Sequence, residues 1–236
     1  MTDKLQSKLS IIIPVLNETE MVHRQLLHLK QLKNHQLIEV IIVDADPGGA
    51  TINSITINPK SLPFPLKLMA SDPGKGRQMN MGVKHSVSGR LLFLHVDCFL
   101  PENAIELVTT SNHPCGAFDI LIDGKGFKFW LISIMANFRT HMNLIPYGDQ
   151  AQFFQADLFQ SLGGFKEIPF MEDFEIMQRV KKAGIKPHLF KSKLLVSNRR
   201  WLEEGAIYVT LRNWAVALCF SWGVPVEKLT RFYRFG

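Results

Sequence analysis

Two stretches decide the fold: Lys8 to Val15, KLSIIIPV, and Leu37 to Val43, LIEVIIV, the second followed at once by Asp44. Both are short, nearly continuous apolar runs rich in isoleucine, which suits parallel strands covered on both faces. Pro14 is expected at the end of the first strand, because a central ladder position would lose a donor. Between the runs, Val22, Leu26, Leu29 and Leu32 recur at helical spacing, predicting a helix over Glu20 to Leu32 that Asn17 or Thr19 can cap. The unit is therefore β-α-β, with the turn-rich Ala45-Asp46-Pro47-Gly48-Gly49 segment at the edge of the sheet.

Outward from this unit the alternation continues. Ile52 to Ile57 is expected as a short helix, Leu66 to Met69 as a third strand, and Lys75 to Val87 as a helix entered from Gly74-Lys75-Gly76. Leu91 to Val96 (LLFLHV) reads as a fourth strand ending in Asp97, and Pro101 opens the next helix. Two strands thus end in an aspartate, Asp44 and Asp97, and in an open α/β sheet both belong to the crevice where ligands bind. After about residue 113 the rhythm changes. Strands are expected at Gly116 to Ile122 and Ala151 to Phe154, the latter entered from the polar turn Tyr147 to Gln150, with an edge strand at Leu189 to Val196. Helices are expected at Phe127 to Met142, at Asp157 to Leu162 closed by Gly163-Gly164, and at Glu172 to Lys182 closed by Gly184. No repeat or linker divides the 236 residues, so the chain is read as one α/β domain.

With 46% hydrophobic and 20% charged residues the composition is that of a globular protein, not a disordered one. The N-terminus, MTDKLQSKLSIIIPV, is expected to be neither a signal peptide nor a membrane span. Cys98, Cys115 and Cys219 form no disulfide framework or zinc pattern, which points to a reducing, cytoplasmic setting. Residues 1 to 185 hold 18 Lys and Arg against 18 Asp and Glu, whereas residues 186 to 236 hold 9 against 3. That basic end suits an anionic membrane surface or a diphosphate-bearing substrate; charge alone leaves nucleic acid open. Asn213 to Pro225 is an uncharged stretch of 13 residues, too short to cross a bilayer and readable either as a core helix or as an interfacial one.

Several residues have side chains suited to chemistry. No GxGxxG follows the first strand and Gly74-Lys75-Gly76 is too short for a Walker loop, although Gly76 and Arg77 at a helix start can face phosphate oxygens. Asp44 is a hard acceptor suited to a base or ribose, and Asp46 either assists it or only shapes an Asx-like turn. Asp97 is a candidate ligand for Mn²⁺ or Mg²⁺, because hard cations take oxygen ligands and bridge them to a diphosphate. His95 is either a second ligand or a packed strand residue. Glu172 and Asp173 open a helix, where capping explains both; the functional alternative is that one takes a proton from an acceptor hydroxyl. Asn198-Arg199-Arg200-Trp201 brings guanidinium and aromatic surface to phosphate or sugar, with structural ion pairing as the competing role.

This combination resembles the inverting family 2 glycosyltransferases of the GT-A fold, in particular a small subgroup described as transferase 2, radical-SAM/selenodomain-associated. The resemblance rests on SIIIPVLNE (Ser10 to Glu18), VDAD (Val43 to Asp46), GKGRQMNMG (Gly74 to Gly82) and FLHVD (Phe93 to Asp97). It continues through PYGDQAQFF (Pro146 to Phe154), LGGF (Leu162 to Phe165), MEDFEI (Met171 to Ile176) and NRRW (Asn198 to Trp201). It implies a mostly parallel central sheet flanked by helices, with a Rossmann-like nucleotide-binding half over 1–112, an acceptor and catalytic half over 113–201, and a helical extension over 202–236. Pro14, Glu18, Asp44 and Asp46 would line the nucleotide pocket and Arg77 would face the donor. Asp97, with His95 in place of the first carboxylate of the Asp-X-Asp motif, would hold Mn²⁺ or Mg²⁺. Gly148, Asp149 and Gln150 would sit in the acceptor-side loop, Asp173 beside Glu172 would be the base, and Arg200 and Trp201 resemble the end of a longer Gln-X-X-Arg-Trp motif.

The expected reaction is sugar transfer, with inversion, from a UDP- or GDP-linked donor to a hydroxyl on a small-molecule, glycan or lipid-linked acceptor. No nucleic acid partner is expected, whereas contact with the inner face of an anionic membrane is. Two other readings stay open at this point: nucleotidyl transfer to a sugar phosphate, and a noncatalytic nucleotide- or glycan-binding protein.

Overall fold

A computed structural model of the chain describes residues 8–46 and 48–232. The N-terminal segment before Lys8, Pro47 of the turn and Arg234 of the basic end lie outside the described residues.

Eight strands form one sheet: β1 (Leu9–Val15), β2 (Ile38–Asp44), β3 (Leu66–Ala70), β4 (Arg90–Phe93), β5 (Cys98–Phe99), β6 (Cys115–Ile122), β7 (Phe153–Gln155) and β8 (His188–Val196). Their spatial order is β3-β2-β1-β4-β7-β6-β8-β5. β1 runs parallel to both β2 and β4, and β2 to β3, which makes the first half a parallel sheet as expected. Beyond β4 the pairings become antiparallel at β7, parallel again between β6 and β8, and antiparallel at β5. The sheet is therefore mixed, with four of its seven pairings parallel.

The helices are α1 (Thr19–Gln31), α2 (Ala50–Asn53), α3 (Lys75–Lys84), α4 (Ala104–Thr110) and α5 (Phe127–Asn143), then α6 (Ala156–Ser161), α7 (Glu172–Lys182), α8 (Arg199–Glu204), α9 (Ala206–Ser221) and α10 (Val226–Leu229). They cover both faces of β1. Ile11, Ile13 and Val15 pack with Val22, Leu26 and Leu29 of α1, while Ile12 packs with Met79 of α3 and with Phe93 and Phe154 on the other side. This two-sided burial is why the strand reads as a continuous apolar run rather than an alternating one. α3 comes so close that a β-carbon on Gly82 would lie 2.5 Å from Ile12 Cγ2.

Some local expectations are corrected. α1 has Glu18 as its N-cap with no side-chain cap bond, its carboxylate pairing with Arg199; Asn17 lies one residue earlier at φ 55° and Thr19 is already the first helical residue. The expected place of Pro14 holds: it is the penultimate residue of β1, paired with Val43 and beyond the last β1–β4 pair, Ile12 with Phe93. β4 stops at Phe93, before the predicted Val96: Leu94 and Val96 are apolar because the turn itself is buried, and Asp97 sits in that turn. The helix expected at Ile52 to Ile57 forms earlier, as α2. β8 is not an edge strand, since β6 and β5 pair with it on opposite sides. In α9, Val209, Val216 and Ala217 face the protein while Tyr208, Leu211, Trp214 and Leu218 are exposed, so the uncharged stretch divides between core and surface. Among the described residues no helix is long and apolar enough to cross a membrane.

Candidate active site

The loops at the carboxyl ends of β1, β2 and β4 come together, and two side chains that the sequence reading did not single out bind them. Gln78 of α3, buried, donates to Val15 O at 2.9 Å and Val43 O at 2.7 Å, tying the ends of β1 and β2. Thr51 of α2 accepts from the backbone N–H of Glu18 at 3.3 Å, joining the start of α1 to the loop after β2. Glu18 in turn pairs with Arg199 of α8 at 2.8 Å, which brings the Asn198 to Trp201 motif to the same rim.

Asp44 is present at this edge, but its carboxylate points inward. It is fully buried, one oxygen accepting from Asp46 N at 3.1 Å and the other from Thr51 N at 2.8 Å and Ile52 N at 3.3 Å. Two of those donors are left free at the start of α2 and the third belongs to the preceding turn, so Asp44 spends most of its acceptor capacity on the loop. Asp46 likewise accepts from Gly48 N at 3.1 Å and Ala50 N at 2.8 Å, the turn-shaping role of the two weighed for it. Arg77 is engaged with Asp72 at 3.3 Å and Glu167 at 3.0 Å on the surface.

Asp97, half-buried, lies on the wall of a cavity of about 250 Å³ whose other walls carry Arg24 and Arg199. His95, Asp97 and Cys98 each offer a ligand atom, all within 4.8 Å of one another. Burial, then Lys75 and Arg200, holds the His95 imidazole well below its usual pKa, so its nitrogen lone pair is available. The buried Cys98 is the opposite case. Desolvation, with Asp97 and Asp149 nearby, pushes its thiol well up, and it remains an S–H that donates to Asp97 Oδ1. A neutral imidazole and a carboxylate fit a divalent cation; a protonated thiol does not add to the set.

Gly148 brings the second half of the chain to this point. Its N–H donates to Asp173 Oδ2, and a β-carbon built on it would lie 2.9 Å from His95 Nε2 and 3.0 Å from Asp173 Oδ2. Asp173 Oδ1 accepts from Phe174 N at 2.8 Å, and Gln152 Nε2, another residue not singled out from sequence, donates to Asp173 O at 3.0 Å. Asp173 is thus half-buried and oriented by backbone donors, with lone pairs left over. Its neighbour Glu172 is buried; desolvation, then the adjacent Asp173, opposed by Lys75, pushes its carboxyl up to about 7.

Asp149 is raised by burial and by Asp173 and Asp97, against the lowering effects of Arg139 and Arg200. Gln150, by contrast, is a frame residue. It is buried, accepting at Oε1 from Thr140 at 2.8 Å and from Tyr147 N at 3.1 Å while donating to Phe118 O at 3.1 Å. Lys75, which the Gly74-Lys75-Gly76 spacing alone does not mark as a site residue, carries a charge that reaches His95, Cys98 and Glu172. The tight fit behind it is visible at Gly76, where a β-carbon would meet Lys166 O at 2.4 Å. Trp201 packs partly buried against the core.

Similarity to known proteins follows this geometry. The structure of residues 1–349 of S. aureus TarS matches with a TM-score of 0.63 at 15% identity, over 90% of this chain and 65% of that one. The fold is the GT-A glycosyltransferase fold. A mannosyltransferase from Pyrobaculum calidifontis, solved with GDP-Man and Mn²⁺, matches this GT-A chain with a TM-score of 0.62 at 14% identity, over 91% of it and 61% of the mannosyltransferase. TarS 1–349 in complex with UDP-GlcNAc gives 0.62 at 16% identity, covering 90% and 66%. The chain therefore spans about two thirds of these neighbours. Residues 10–111 of the GT-A domain match the family model for glycosyl transferase family 2, somewhat under half of the 236 residues. The match is to the broad family and lends no support to the radical-SAM/selenodomain-associated subgroup. No curated protein matches the chain.

Proposed function

We propose that this chain is a metal-dependent, inverting glycosyltransferase that moves a sugar from a nucleoside diphosphate, UDP or GDP, to a hydroxyl acceptor. The observation that carries the reading is the meeting of a cation-ligand pair, His95 and Asp97, with an accessible carboxylate, Asp173, across Gly148. The family match over residues 10–111 and the nucleotide-sugar complexes of the structural neighbours support it. The division into a donor half over 1–112, an acceptor and catalytic half over 113–201 and an extension after it belongs to the same proposal. So does a cytoplasmic location, in keeping with three free cysteines.

In this reading Pro14, Glu18 and Arg199 border the nucleotide, with Asp44 and Asp46 shaping the loop beneath it. The diphosphate faces Arg24 and Arg199 in the Asp97 cavity, and Lys75 and Arg200, whose charges reach His95, add positive charge beside it, whereas Arg77 is committed to Asp72 and Glu167. His95 and Asp97 would hold the divalent cation, Mn²⁺ or Mg²⁺. What such an ion supplies when bound is neutralisation of charge on the departing diphosphate. The acceptor oxygen forms the new bond to the anomeric carbon from the face opposite the diphosphate. The old carbon–oxygen bond breaks with its electron pair leaving on the diphosphate, and the acceptor proton passes to Asp173. Asp173 and not Glu172 is placed in this role because Glu172 is buried beneath it.

The test is a screen of nucleotide sugars with Mn²⁺ and Mg²⁺, read by thermal shift and by product analysis. Release of nucleoside diphosphate with an inverted glycoside is expected. Release of pyrophosphate would instead identify nucleotidyl transfer, and binding without turnover across a broad acceptor panel would identify a binding protein.

A further inference from the structure

One turn carries three different kinds of metal ligand. His95-Val96-Asp97-Cys98 closes on itself, Cys98 N donating to His95 O at 3.1 Å, so that His95 and Cys98 stand at its two ends with Asp97 between them. That separation of His95 from Cys98 is also the ligand spacing of zinc-binding turns. An imidazole nitrogen, a carboxylate oxygen and Sγ lie within 4.8 Å of one another, Sγ being 3.8 Å from Asp97 Oδ1. A tetrahedral zinc ion holds nitrogen and oxygen at about 2.0–2.2 Å and sulfur at about 2.3 Å, which sets its ligand atoms roughly 3.3–3.7 Å apart. A closing movement of about 1 Å makes up the difference. The backbone of the turn is held on three sides: Asp97 O accepts from Ser197 N at 3.1 Å, Cys98 O accepts from Gln25 Nε2 at 3.2 Å, and Cys98 pairs with Val196 in the sheet. The ligands are therefore brought together before any ion arrives, which spares the ordering that a loose loop would require. The way in is the cavity of about 250 Å³, since Asp97 forms part of its wall and the buried Cys98 reaches Asp97 Oδ1 from within.

Toward a hard ion the Cys98 thiol is a bystander. Toward a thiophilic ion it is a ligand, because zinc takes sulfur readily and stands far above manganese in the order of affinities for mixed nitrogen, oxygen and sulfur sites. On binding, the metal–sulfur bond forms, the S–H bond breaks with its electron pair staying on sulfur, and the proton passes to solvent. Charge then separates the two fillings. An ion held by His95 and Asp97 alone keeps one positive charge with which to offset a diphosphate, whereas the Cys98 thiolate and the Asp97 carboxylate together cancel the charge of the ion.

We propose that His95, Asp97 and Cys98 form a tight site for a thiophilic divalent cation, Zn²⁺ above all, and that its occupation shuts out the working ion and stops transfer. The blocking half rests on the transferase reading; the binding half does not.

The chelator-stripped full chain receives Co²⁺ stepwise as a spectroscopic stand-in for Zn²⁺, and Zn²⁺ and Mn²⁺ affinities are measured by competition. A thiolate-to-cobalt charge-transfer band that saturates with a single ion per chain and is erased by Zn²⁺ is expected. It should persist in a Cys115→Ala/Cys219→Ser variant, where Cys98 is the sole thiol left. Cys98→Ser should abolish the band and weaken Zn²⁺ by more than about 100-fold, beyond what loss of a supporting contact costs, while Mn²⁺ changes far less. No band in the wild type, a band that survives in Cys98→Ser, or equal loss of both ions overturns the site. If Cys98→Ser gives no cooperative unfolding in urea, the variant with Cys98 as sole thiol decides, its band supporting the site and the lack of one overturning it. For the blocking, Zn²⁺ is added during nucleotide-sugar turnover with Mn²⁺. Loss of turnover in step with zinc occupancy, restored by a chelator, is expected, and full turnover by the zinc-loaded chain overturns the blocking. A chain that binds Zn²⁺ through Cys98 but turns over no nucleotide sugar with either ion refutes the transferase reading, and the blocking with it, and leaves the site standing.

Discussion

His95 and Asp173 converge on one glycine, with Nε2 of the first and Oδ2 of the second 2.9 and 3.0 Å from where a β-carbon on Gly148 would stand. The proposed cation site and the proposed base therefore both border the position that a side chain on residue 148 would fill. Gly148→Ala is expected to displace one or both groups and lower turnover about 100-fold, as a misplacement of around 1 Å can. The cost in stability should be roughly 1–3 kcal/mol, typical of one added methyl in a tight site. Steady-state kinetics together with denaturant unfolding check both; near-normal turnover would show that the two groups do not act together.

Asp173→Asn should reduce kcat by about 10² to 10⁴, the usual worth of a general base, with donor affinity unchanged. Calorimetry of donor binding beside single-turnover transfer separates the two effects. Near-normal transfer by a folded Asp173→Asn protein would remove the base assignment.

Glu172 makes stability depend on pH in a definite direction. Its carboxyl is raised from 4.5 to about 7 in the folded chain, chiefly by burial and next by Asp173, with Lys75 opposing. The folded state therefore binds this proton more tightly than the unfolded one, so the contribution is complete below 4.5 and is lost as pH rises through 7. Glu172→Gln should accordingly gain stability relative to the wild type as pH goes from 5 to 8. Urea melts across that range measure it, and parallel curves for the two proteins would contradict it.

Asp44→Ala strands three backbone donors, those of Asp46, Thr51 and Ile52. A loss of roughly 2–4 kcal/mol in unfolding free energy is expected, since each unsatisfied buried donor costs about 1–3 kcal/mol and the loop relaxes in part. Unchanged stability with only donor affinity lost would return Asp44 to a direct ligand role.

An imidazole in the cation site favours Mn²⁺ over Mg²⁺, since magnesium prefers oxygen ligands. Thermal shifts in the presence of nucleoside diphosphate should be larger with Mn²⁺ for the wild type, and His95→Asp should narrow the gap. If the ion preference is the same in both proteins, His95 is not a ligand.

Apolar runs and helical spacings determined the alternation of β1, α1 and β2, the course of α3, α5 and α7, and the placing of Asp44 and Asp97 at one edge of the sheet. Such patterns report which residues are removed from water within an element, and that information is local. The same local signal misled where burial came without a strand, at Leu94 and Val96, and it made β8 an edge because nothing in its own residues announces the two-residue partner β5. Only the tertiary structure decided that Asp44 spends its lone pairs on α2, that Gln150 is frame while Gln78, Gln152 and Lys75 reach the site, and that α5 and α9 remain uncovered. A carboxylate or amide is equally able to bind a ligand or a neighbouring N–H. Which it does depends on the donors that other segments bring within about 3 Å, a contact between distant residues that no spacing in the chain encodes.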